Sequence, residues 1–439
     1  MTFHRSLLLL WMPMLLLGGI SLVVVASGVS QSNVSIAPIG DPIDVWSSVE
    51  TLHKCGILDV PDIPVRLFWQ EDHHHRQVHA IEGSTTSYEM LGPSVLNLTR
   101  SCHSILWNKT ANPDPSFFAA NEFLDSTVAF SNGSVVALVH TEYPGDRYDN
   151  CETAFHNHQQ EPLLRHYNYS YPKCWTVFIG LAVSHDFGTT WRHALPPPNH
   201  LVFAVPYRYD PNRLAYGWGD PSNIVRNPND QYYYVALWNR HEIGQQPAGI
   251  CIARTQNLFD PTSWRGWAGD EKGFVTTFAS PYRNDETETD DVEEHICVTV
   301  DNLPSLCAVL GLVWSDYLEE FVATLGCFGE LSKSFYFATS TDLIHWTTPV
   351  AFYSQENLPE DVQKLVTGMA YPSLVDPKAP SSYGDINYST IGQEPYLYWT
   401  SLGHSTHTDG RHLWATPVRF TKENESKKKK NDEATYIAQ

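Results

Sequence analysis

The sequence predicts an all-β fold, and two observations carry this prediction. Short runs with apolar side chains at every second position, rich in β-branched and aromatic residues, recur along the 439-residue chain and are separated by turn residues. Helical periodicity is confined to short stretches such as Pro359–Leu365. The predicted strands are Val65–Trp69, Ser126–Phe130, Val135–His140, Phe178–Val183, Asn223–Arg226, Tyr232–Trp238, Gly249–Thr255, Gly311–Trp314, Glu320–Gly326, Phe335–Ser340, Pro395–Ser401 and His412–Val418.

A repeat organises these strands into units. In three copies, an inner strand leads into a hairpin, and a later strand ends in a polar turn followed by Trp191, Trp264 or Trp346. Further units open near residues 65 and 373, so that the openings lie roughly 60 to 95 residues apart. Because a four-stranded unit cannot bury both faces alone, such units pack around a common axis. The sequence predicts a five-bladed β-propeller over residues 56–421, with six blades as the alternative if residues 270–310 contain another unit.

The two ends of the chain are predicted to lie outside this domain. His4 and Arg5 precede an apolar run from Leu7 to Val25 that ends in small residues, which is typical of a secretory signal peptide. We therefore expect cleavage of residues 1–28, with an uncleaved signal anchor as the alternative. Residues 29–55 are expected to form a polar, irregular leader, and residues 422–439 a low-complexity tail.

The eight cysteines indicate disulfide bonds. Their number is even, none lies in a C-x-x-C pair, and a predicted signal peptide precedes them, which favours disulfides over zinc. The spacing leaves many pairings open, and sequential closure within a blade is the simplest of them. The expected pairs are Cys55–Cys102, Cys151–Cys174, Cys251–Cys297 and Cys307–Cys327.

Seven N-x-S/T sequons indicate a glycoprotein that passes through a eukaryotic secretory route. Together with the predicted signal peptide, they predict a secreted, extracellular protein, with anchoring at the cell surface as the alternative. The sequons are at Asn33, Asn97, Asn108, Asn132, Asn168, Asn387 and Asn424.

The charge balance argues against one class of partner. Lysine and arginine total 28 against 49 aspartate and glutamate, a net charge of −21. Such an acidic surface repels phosphate backbones, so no nucleic-acid partner is expected. No membrane partner is expected either, unless the N-terminal segment remains as an anchor. Aromatic residues form 13% of the chain, which suits core packing and also stacking on sugars.

Two turn motifs carry a family resemblance. Ser184–Trp191 matches the Asp-box of sialidase-like propellers, S-x-D-x-G-x-T-W. Ser340–Trp346 resembles the S-x-D-L-x-x-W turn of five-bladed propeller glycosidases, the arabinanase, β-xylosidase and invertase-like group. The resemblance covers about residues 60–420. It implies that the aspartate accepts backbone N–H bonds, that Gly188 adopts a left-handed conformation and that the tryptophan packs between blades.

The same resemblance implies a site at one end of the axis. In that group the inner strands open onto a mouth with three acidic groups. Glycosidic cleavage needs two, because one protonates the leaving oxygen while the other attacks or activates water. Glu142, at the end of a second strand, is the candidate general acid, and Asp220 looks like the D-P-S opening of the group. The remaining candidates at strand openings are Asp62, Glu122 and Asp125.

Other side chains are expected to bind substrate at this mouth. Arg66 lies in an otherwise apolar strand, so it must face a carboxylate or a polar mouth. Tyr216 and Trp218 are expected to form a sugar-stacking wall, and His404 to line the mouth. The segment His73–His75 is expected to be a solvated hairpin tip, not a metal site. No cofactor is predicted. A structural ion on the axis remains as an alternative.

These predictions favour a secreted glycan-acting enzyme, a glycoside hydrolase that uses an oligo- or polysaccharide. One alternative is a non-catalytic propeller that binds carbohydrate or protein at the cell surface. Another is a polysaccharide lyase that uses a tyrosine or histidine with Arg66 on acidic sugars. The openings at Val313 and Tyr371 carry no acidic residue, so the third acid of the resembled group is not matched.

Overall fold

Almost all the regular structure of this chain is β. A computed structural model describes residues 33–57, 59–72, 75–148, 151, 174–282, 292–364, 366–403 and 411–422. These residues contain three short α-helices: α1 (Ser48–Cys55), α2 (Glu360–Gln363) and α3 (Ala379–Ser382). The strands are β1 (Val34–Pro38), β2 (Ile43–Ser47), β3 (Arg66–Asp72), β4 (His75–Ile81), β5 (Thr86–Ser94), β6 (Asn97–Asn108), β7 (Asn121–Ala129), β8 (Val135–Pro144), β9 (Trp175–Ser184), β10 (Arg192–His193), β11 (Leu201–Phe203), β12 (Tyr216–Gly219), β13 (Val225–Arg226), β14 (Tyr233–Asn239), β15 (Gly249–Thr255), β16 (Arg265–Trp267), β17 (Phe274–Thr276), β18 (Cys307–Ser315), β19 (Glu320–Cys327), β20 (Ser334–Ser340), β21 (Val350–Ser354), β22 (Gly368–Val375), β23 (Thr390–Ile391), β24 (Tyr396–Leu402) and β25 (His412–Lys422).

Strand pairing, antiparallel within each unit except for the parallel pair of β18 with β23, groups these strands into units. The first unit is β3–β6, the second β7–β11, the third β12–β17 and the fourth β18–β21 with β23. The fifth combines β22, β24 and β25 with β1 and β2 from the other end of the chain. A parallel pairing of β9 with β12 joins the second and third units into one 11-stranded sheet. The sheets therefore do not correspond one to one with blades, because two units share a sheet. The blade count of five, with six as the alternative, stays a prediction.

Apolar cores lie between successive units. Separate clusters fill the interfaces of the second unit with the third, the third with the fourth and the fourth with the fifth. Two more lie between the fifth and first units and between the first and second. Each unit therefore buries its faces against two neighbours, and the strands close into a β-propeller. The inner strands β3, β7, β18 and β22 lie around the common axis.

The predicted irregular leader is wrong for most of its length. Residues 34–55 form β1, β2 and α1, and both strands pair with β25, as in the pair Val34↔Lys422. Ser47 caps α1, and Gly56 ends it at a φ of 67°. Trp46 of β2 packs over the Arg100 guanidinium of β6 at 4.1 Å, which ties the segment to the first unit. Sequence periodicity missed these strands because each is short and its partner lies at the other end of the chain.

Strand prediction worked best where both faces are buried. The observed β15 has the predicted bounds Gly249–Thr255. In the first unit the sequence predicted only the strand at Val65–Trp69, whereas β4, β5 and β6 follow it. Two of them, β5 and β6, have many half-exposed or exposed residues, so their alternation is weak. The stretch Pro359–Leu365 contains the short helix α2, as its periodicity indicated.

The first turn motif folds as the resemblance implies. Asp186 Oδ1 accepts the Thr190 backbone N–H at 2.9 Å, and Gly188 has a φ of 79°. The indole N–H of Trp191 donates to the Gly188 carbonyl at 2.8 Å, and its ring packs on the core between the first and second units. A Cβ at position 188 would lie 2.9 Å from Phe68, so glycine is required for space as well as for conformation.

The second motif forms a similar turn without glycine. Asp342 Oδ1 accepts the backbone N–H groups of Ile344 and His345 at 2.9 and 2.8 Å. Leu343 takes the left-handed position with a φ of 70°. Trp346 donates to the Leu343 carbonyl at 2.9 Å and is buried between the third and fourth units. The two motifs thus pin outer turns to neighbouring units.

The four expected disulfides are confirmed. Cys55–Cys102 joins α1 to β6, and Cys307–Cys327 crosses the directly paired strands β18 and β19. Cys151–Cys174 and Cys251–Cys297 complete the sequential pattern. Each bond closes a loop of 20 to 47 residues, as expected when bridges form within or beside one unit.

The described sequons differ in their surroundings. Asn33, Asn97, Asn108 and Asn132 are exposed. Asn387 instead uses its amide group to bond both the N–H and the carbonyl of Ala129, at 2.7 and 3.2 Å. Its nitrogen is therefore occupied by a contact between units, so this sequon is poorly placed to carry a glycan. The remaining sequons, Asn168 and Asn424, lie outside the described residues, as do the predicted signal peptide and the segment after residue 422.

No helix within the described ranges is long and apolar enough to cross a membrane.

Candidate active site

Carboxylates from three successive units reach solvent where the inner strands begin. Asp62 precedes β3, Asp220 follows β12, and Glu142 lies on β8 opposite the first residue of β7. Their side chains are 27%, 26% and 19% exposed, respectively. Glu142 and Asp220 line one cavity, and the Glu142 charge helps to raise the pKa of Asp62. These groups therefore lie around one end of the axis, which we call the mouth.

His140 connects two of these carboxylate residues. Its Nδ1 accepts the backbone N–H of Asp220 at 3.0 Å, so the neutral ring carries its proton on Nε2. That nitrogen lies 3.7 Å from Glu142 Oε1. Burial lowers the pKa of His140, but the neighbouring carboxylates raise it by more, and the net shift is upward. Gly219 makes room for the ring, since a Cβ there would lie 2.9 Å from His140 Cε1.

Asp62 is held by residues of the fifth unit. Its Oδ1 accepts a hydrogen bond from Arg411 Nη1 and another from the Tyr371 hydroxyl at 3.1 Å. Burial raises the pKa of Asp62, the Arg411 charge opposes the rise, and the Glu142 charge adds to it. The carboxyl group thus combines access to solvent with an increased tendency to hold a proton, which suits proton donation to a substrate.

Asp220 sits in a strained turn at the mouth. Its φ of 44° is uncommon for a residue other than glycine, and such strain concentrates at functional sites. Its Oδ2 lies 3.5 Å from Arg240 Nη2. The Arg240 guanidinium in turn packs over the Trp238 ring at 4.6 Å and the Phe328 ring at 5.1 Å. A carboxylate, a cation and aromatic faces therefore share this side of the mouth.

A buried ion pair lies beneath these groups on the axis. Arg66 Nε is 3.2 Å from Asp125 Oδ1, and both side chains are 2% exposed. The guanidinium also donates to the carbonyls of Pro221 at 2.9 Å and Leu310 at 3.0 Å. Arg66 thus joins four units, and its nitrogens face protein groups. The expectation that it binds substrate is not supported. Burial raises the pKa of Asp125 to about 6, although the Arg66 and His140 charges oppose the rise.

Glu122 does not join the mouth. It is fully buried on β7, where Oε1 lies 2.6 Å from His193 Nε2 and Oε2 accepts the Thr110 backbone N–H at 2.6 Å. The expectation that Glu122 opens onto the axis is wrong because the residue lies within a strand covered by β10 and the segment before β11. Its partners are His193 of the same unit and the Thr110 backbone.

The expected aromatic wall is also wrong. Trp218 is buried in the core between the second and third units. The Tyr216 hydroxyl donates to the Arg208 carbonyl at 2.9 Å and accepts the Asp210 backbone N–H at 2.8 Å. Both side chains thus belong to this apolar core and do not face the mouth. Trp175 and Trp238 line the mouth cavity instead, and His404 lies outside the described residues.

Sequence reasoning missed several groups at the mouth. His140 was missed although it lies two positions before the predicted Glu142 on the same strand, and this shared face was a usable signal. Trp238 and Arg240 have the same spacing. Arg411 had no local signal, because its partner Asp62 is 349 residues away.

The comparisons with known proteins concern the overall fold. No family model matches the chain, and no curated protein sequence matches it. Among solved structures, the chain is similar to a family 117 glycoside hydrolase produced by the marine bacterium Zobellia galactanivorans. The TM-score is 0.44 at 7% identity, over 88% of this chain and 90% of that one.

Two arabinanases show a comparable likeness. The α-L-arabinanase of Cellvibrio cellulosa, complexed with arabinohexaose, has a TM-score of 0.43 at 8% identity, over 81% of this chain and 90% of that one. An exo-1,5-α-L-arabinanase from a bovine ruminal metagenomic library has a TM-score of 0.41 at 8% identity, over 82% and 93%.

Proposed function

We propose that the protein is a glycoside hydrolase that cleaves an oligo- or polysaccharide at the mouth. One observation supports this proposal above the others. Asp62, Glu142 and Asp220 come from three successive units and reach solvent around one opening. Hydrolysis of a glycosidic bond requires one carboxyl group that protonates the leaving oxygen and a second that attacks or activates water.

The surroundings of each carboxyl group favour different roles. Asp62, whose pKa is raised by burial, is the candidate general acid. Asp220 faces the Arg240 cation and is the candidate base or nucleophile. Glu142 is the general acid expected from the sequence. Its Oε1 lies 3.7 Å from His140 Nε2, and it is the second candidate for proton transfer.

Asp125 is assigned a positioning role in this scheme. Its side chain is 2% exposed and bound to Arg66, so it does not contact substrate. It lies close enough to Asp220 for that charge to raise its pKa. The buried pair therefore positions the backbone beneath the mouth and contributes to the electrostatic potential there. The bond-breaking steps are assigned to the partly exposed carboxyl groups of Asp62, Glu142 and Asp220.

The test compares single variants of these carboxylates. Plant, algal and microbial polysaccharides are screened for release of reducing ends, and the active substrate is then used with Asp62→Asn, Glu142→Gln and Asp220→Asn. Loss of the acid or base lowers kcat by about 10²- to 10⁴-fold. Glu394→Gln is the matched control, because Glu394 pairs with Arg419 at 2.7 Å on the exposed surface.

Aryl glycosides of different leaving groups separate the roles. Replacement of the general acid leaves the hydrolysis rate nearly unchanged for substrates whose leaving group needs no proton. Replacement of the base or nucleophile lowers the hydrolysis rate of all substrates. We expect the first pattern for Asp62→Asn and the second for Asp220→Asn. Unchanged hydrolysis in both Asp125→Asn and Asp220→Asn would overturn the assignment. Binding on a glycan array with no product formed would instead identify a carbohydrate-binding propeller.

We also propose that the protein acts after secretion. Four disulfides are stable in an oxidising compartment, and four of the described sequons are exposed. N-terminal sequencing of the secreted form and its mass before and after deglycosylation test this proposal. A mature protein that keeps residues 1–28, or carries no glycan, would contradict it.

A further inference from the structure

A second cluster of polar side chains lies inside the second unit, apart from the mouth carboxylates. It consists of Glu122 on β7, His193 on β10 and His200 just before β11. One potential ligand atom from each residue lies within 4.8 Å of the others. The side chain of Glu122 is fully buried, that of His193 is 15% exposed, and His200 is fully buried. Three donors are thus gathered where water has little access.

The two ring nitrogens of His200 have different surroundings. Its Nε2 lies 3.2 Å from the Phe118 carbonyl oxygen, so this nitrogen carries the proton and donates it. The other nitrogen, Nδ1, is buried and has no hydrogen-bond partner among the described residues. An unpartnered lone pair in a buried site is costly. Histidine ligands commonly donate their second ring N–H to a backbone carbonyl, which leaves the other nitrogen for the ion.

The neighbouring groups support the same arrangement. Glu122 Oε2 accepts the Thr110 backbone N–H at 2.6 Å, so Oε1 remains directed at His193 Nε2, 2.6 Å away. The rings of His193 and His200 are 4.3 Å apart between centroids. Gly180 provides the space for this pair, because a Cβ there would lie 2.6 Å from His200 Cδ2.

We propose that Glu122, His193 and His200 form a binding site for a divalent transition metal, with Zn²⁺ as the best match. Two imidazole nitrogens and one carboxylate oxygen are a donor set that Zn²⁺ takes, with a fourth position left for water. Tetrahedral Zn²⁺ at about 2.1 Å from its ligands separates them by about 3.4 Å. Glu122 and His193 therefore need to move apart by less than about 1 Å.

The site has a structural consequence. Its ligands come from β7 and from two segments that pair with β9, so a bound ion joins the inner and outer strands of one unit. Metal that binds only the folded chain stabilises it by mass action. The inference does not depend on the proposed hydrolysis, since none of the mouth carboxylates is a ligand.

The test measures zinc binding by the whole secreted protein, prepared with chelator and without a histidine tag. We expect one Zn²⁺ per chain by equilibrium dialysis and metal analysis, and a rise in Tm of a few degrees at saturating Zn²⁺. His200→Phe and Glu122→Gln should each weaken binding by at least about 10-fold. Gly180→Ala removes no ligand but displaces His200, so it should also weaken binding.

The chain contains 20 histidines, so a control variant must test whether Zn²⁺ binds to histidines on the surface. His345→Gln is suitable, because the His345 side chain is 68% exposed and lies in the fourth unit. This variant should bind Zn²⁺ as the unchanged protein does. Undiminished binding in both His200→Phe and Glu122→Gln would place the ion elsewhere and overturn the proposal. Failure of the unchanged protein to bind micromolar Zn²⁺ would overturn it equally.

A measurement on the unchanged protein covers the case in which the variants fail to fold. X-ray absorption of the zinc-loaded protein should show two imidazole ligands with oxygen donors and no sulfur. A spectrum with three or more imidazoles, or with oxygen alone, would contradict the proposed ligand set. The optical spectrum of the Co²⁺ form should show the visible bands of four-coordinate cobalt, and their absence would count against the tetrahedral site.

Discussion

At the scale of single residues, the buried ion pair of Arg66 with Asp125 connects the stability of the axis with the candidate site. Arg66 was expected to face either a carboxylate or a polar mouth, because an arginine in an apolar strand needs a polar partner. The structure shows a carboxylate, Asp125, at 3.2 Å. Breaking such a buried pair leaves one charge uncompensated, which typically costs about 3–5 kcal/mol. The same buried pair therefore stabilises the axis and places Asp125 beneath the mouth.

A different buried residue predicts how stability depends on pH. Burial lowers the pKa of His79 from 6.5 to about 4, and the ring stacks on Phe68 with centroids 4.8 Å apart. Between these pH values the unfolded chain takes up a proton that the folded chain does not. Stability therefore falls as pH drops from 6.5 toward 4. His79→Phe keeps a stacked ring and should reduce the loss of unfolding free energy between pH 7 and pH 5 by about 2 kcal/mol.

Urea unfolding at the two pH values measures this effect. The unchanged protein and the variant are compared as differences between pH values, so that any cost of packing the larger phenyl ring cancels. Equal losses in the two proteins would show that His79 does not contribute to the acid sensitivity.

At the scale of elements, polar turns hold the outer strands to their neighbours. The Asp342 turn is one example, with two backbone N–H groups bound to a single carboxylate oxygen. Asp342→Ala removes the acceptor and should lower the free energy of unfolding by about 1–2 kcal/mol. Asp342→Asn retains an acceptor and should cost less. Chemical denaturation of both variants measures the difference, and equal destabilisation would argue against the capping role.

At the scale of the whole molecule, the fifth unit is assembled from both ends of the chain. β1 and β2 pair with β25, so the N-terminal segment completes a unit that is otherwise C-terminal. A closed propeller has no free side between its first and last units, and this shared unit is where the ends of the chain are held together.

The pairing of β1 and β2 with β25, which we call the seam, predicts different changes in unfolding free energy for substitutions at two isoleucines three positions apart. Ile36 is 6% exposed in the core between the fourth and fifth units, whereas Ile39 is 44% exposed. Ile36→Ala should lower the free energy of unfolding by about 2–4 kcal/mol. Ile39→Ala makes the same chemical change at the surface and should change it by less than about 0.5 kcal/mol. Thermal and urea unfolding compare the two, and a small effect at both sites would mean that the seam contributes little.

The candidate site was partly predictable, and its residues show why. Asp62 and Asp220 were chosen because they stand at strand openings and Glu142 because it ends a second strand, and the structure brings them to one mouth. Glu122 was chosen by the same rule and lies elsewhere, because side-chain direction along a strand depends on register. Arg411 and the Glu122–His193–His200 cluster had no sequence signal, since their partners come from distant segments or from the far side of a loop.

The sequence by itself determined the β content and the two aspartate turns, and it favoured sequential disulfides without excluding other closures of short loops. Each of these depends on neighbouring residues, on local periodicity or on the closure of short loops. Only the tertiary structure decided which carboxylates meet at the mouth, that Trp218 is core, that Asn387 joins two units and that residues 34–47 complete the fifth unit. Those outcomes depend on contacts between residues tens to hundreds of positions apart. Register and packing around the axis set such contacts, and no local pattern encodes them.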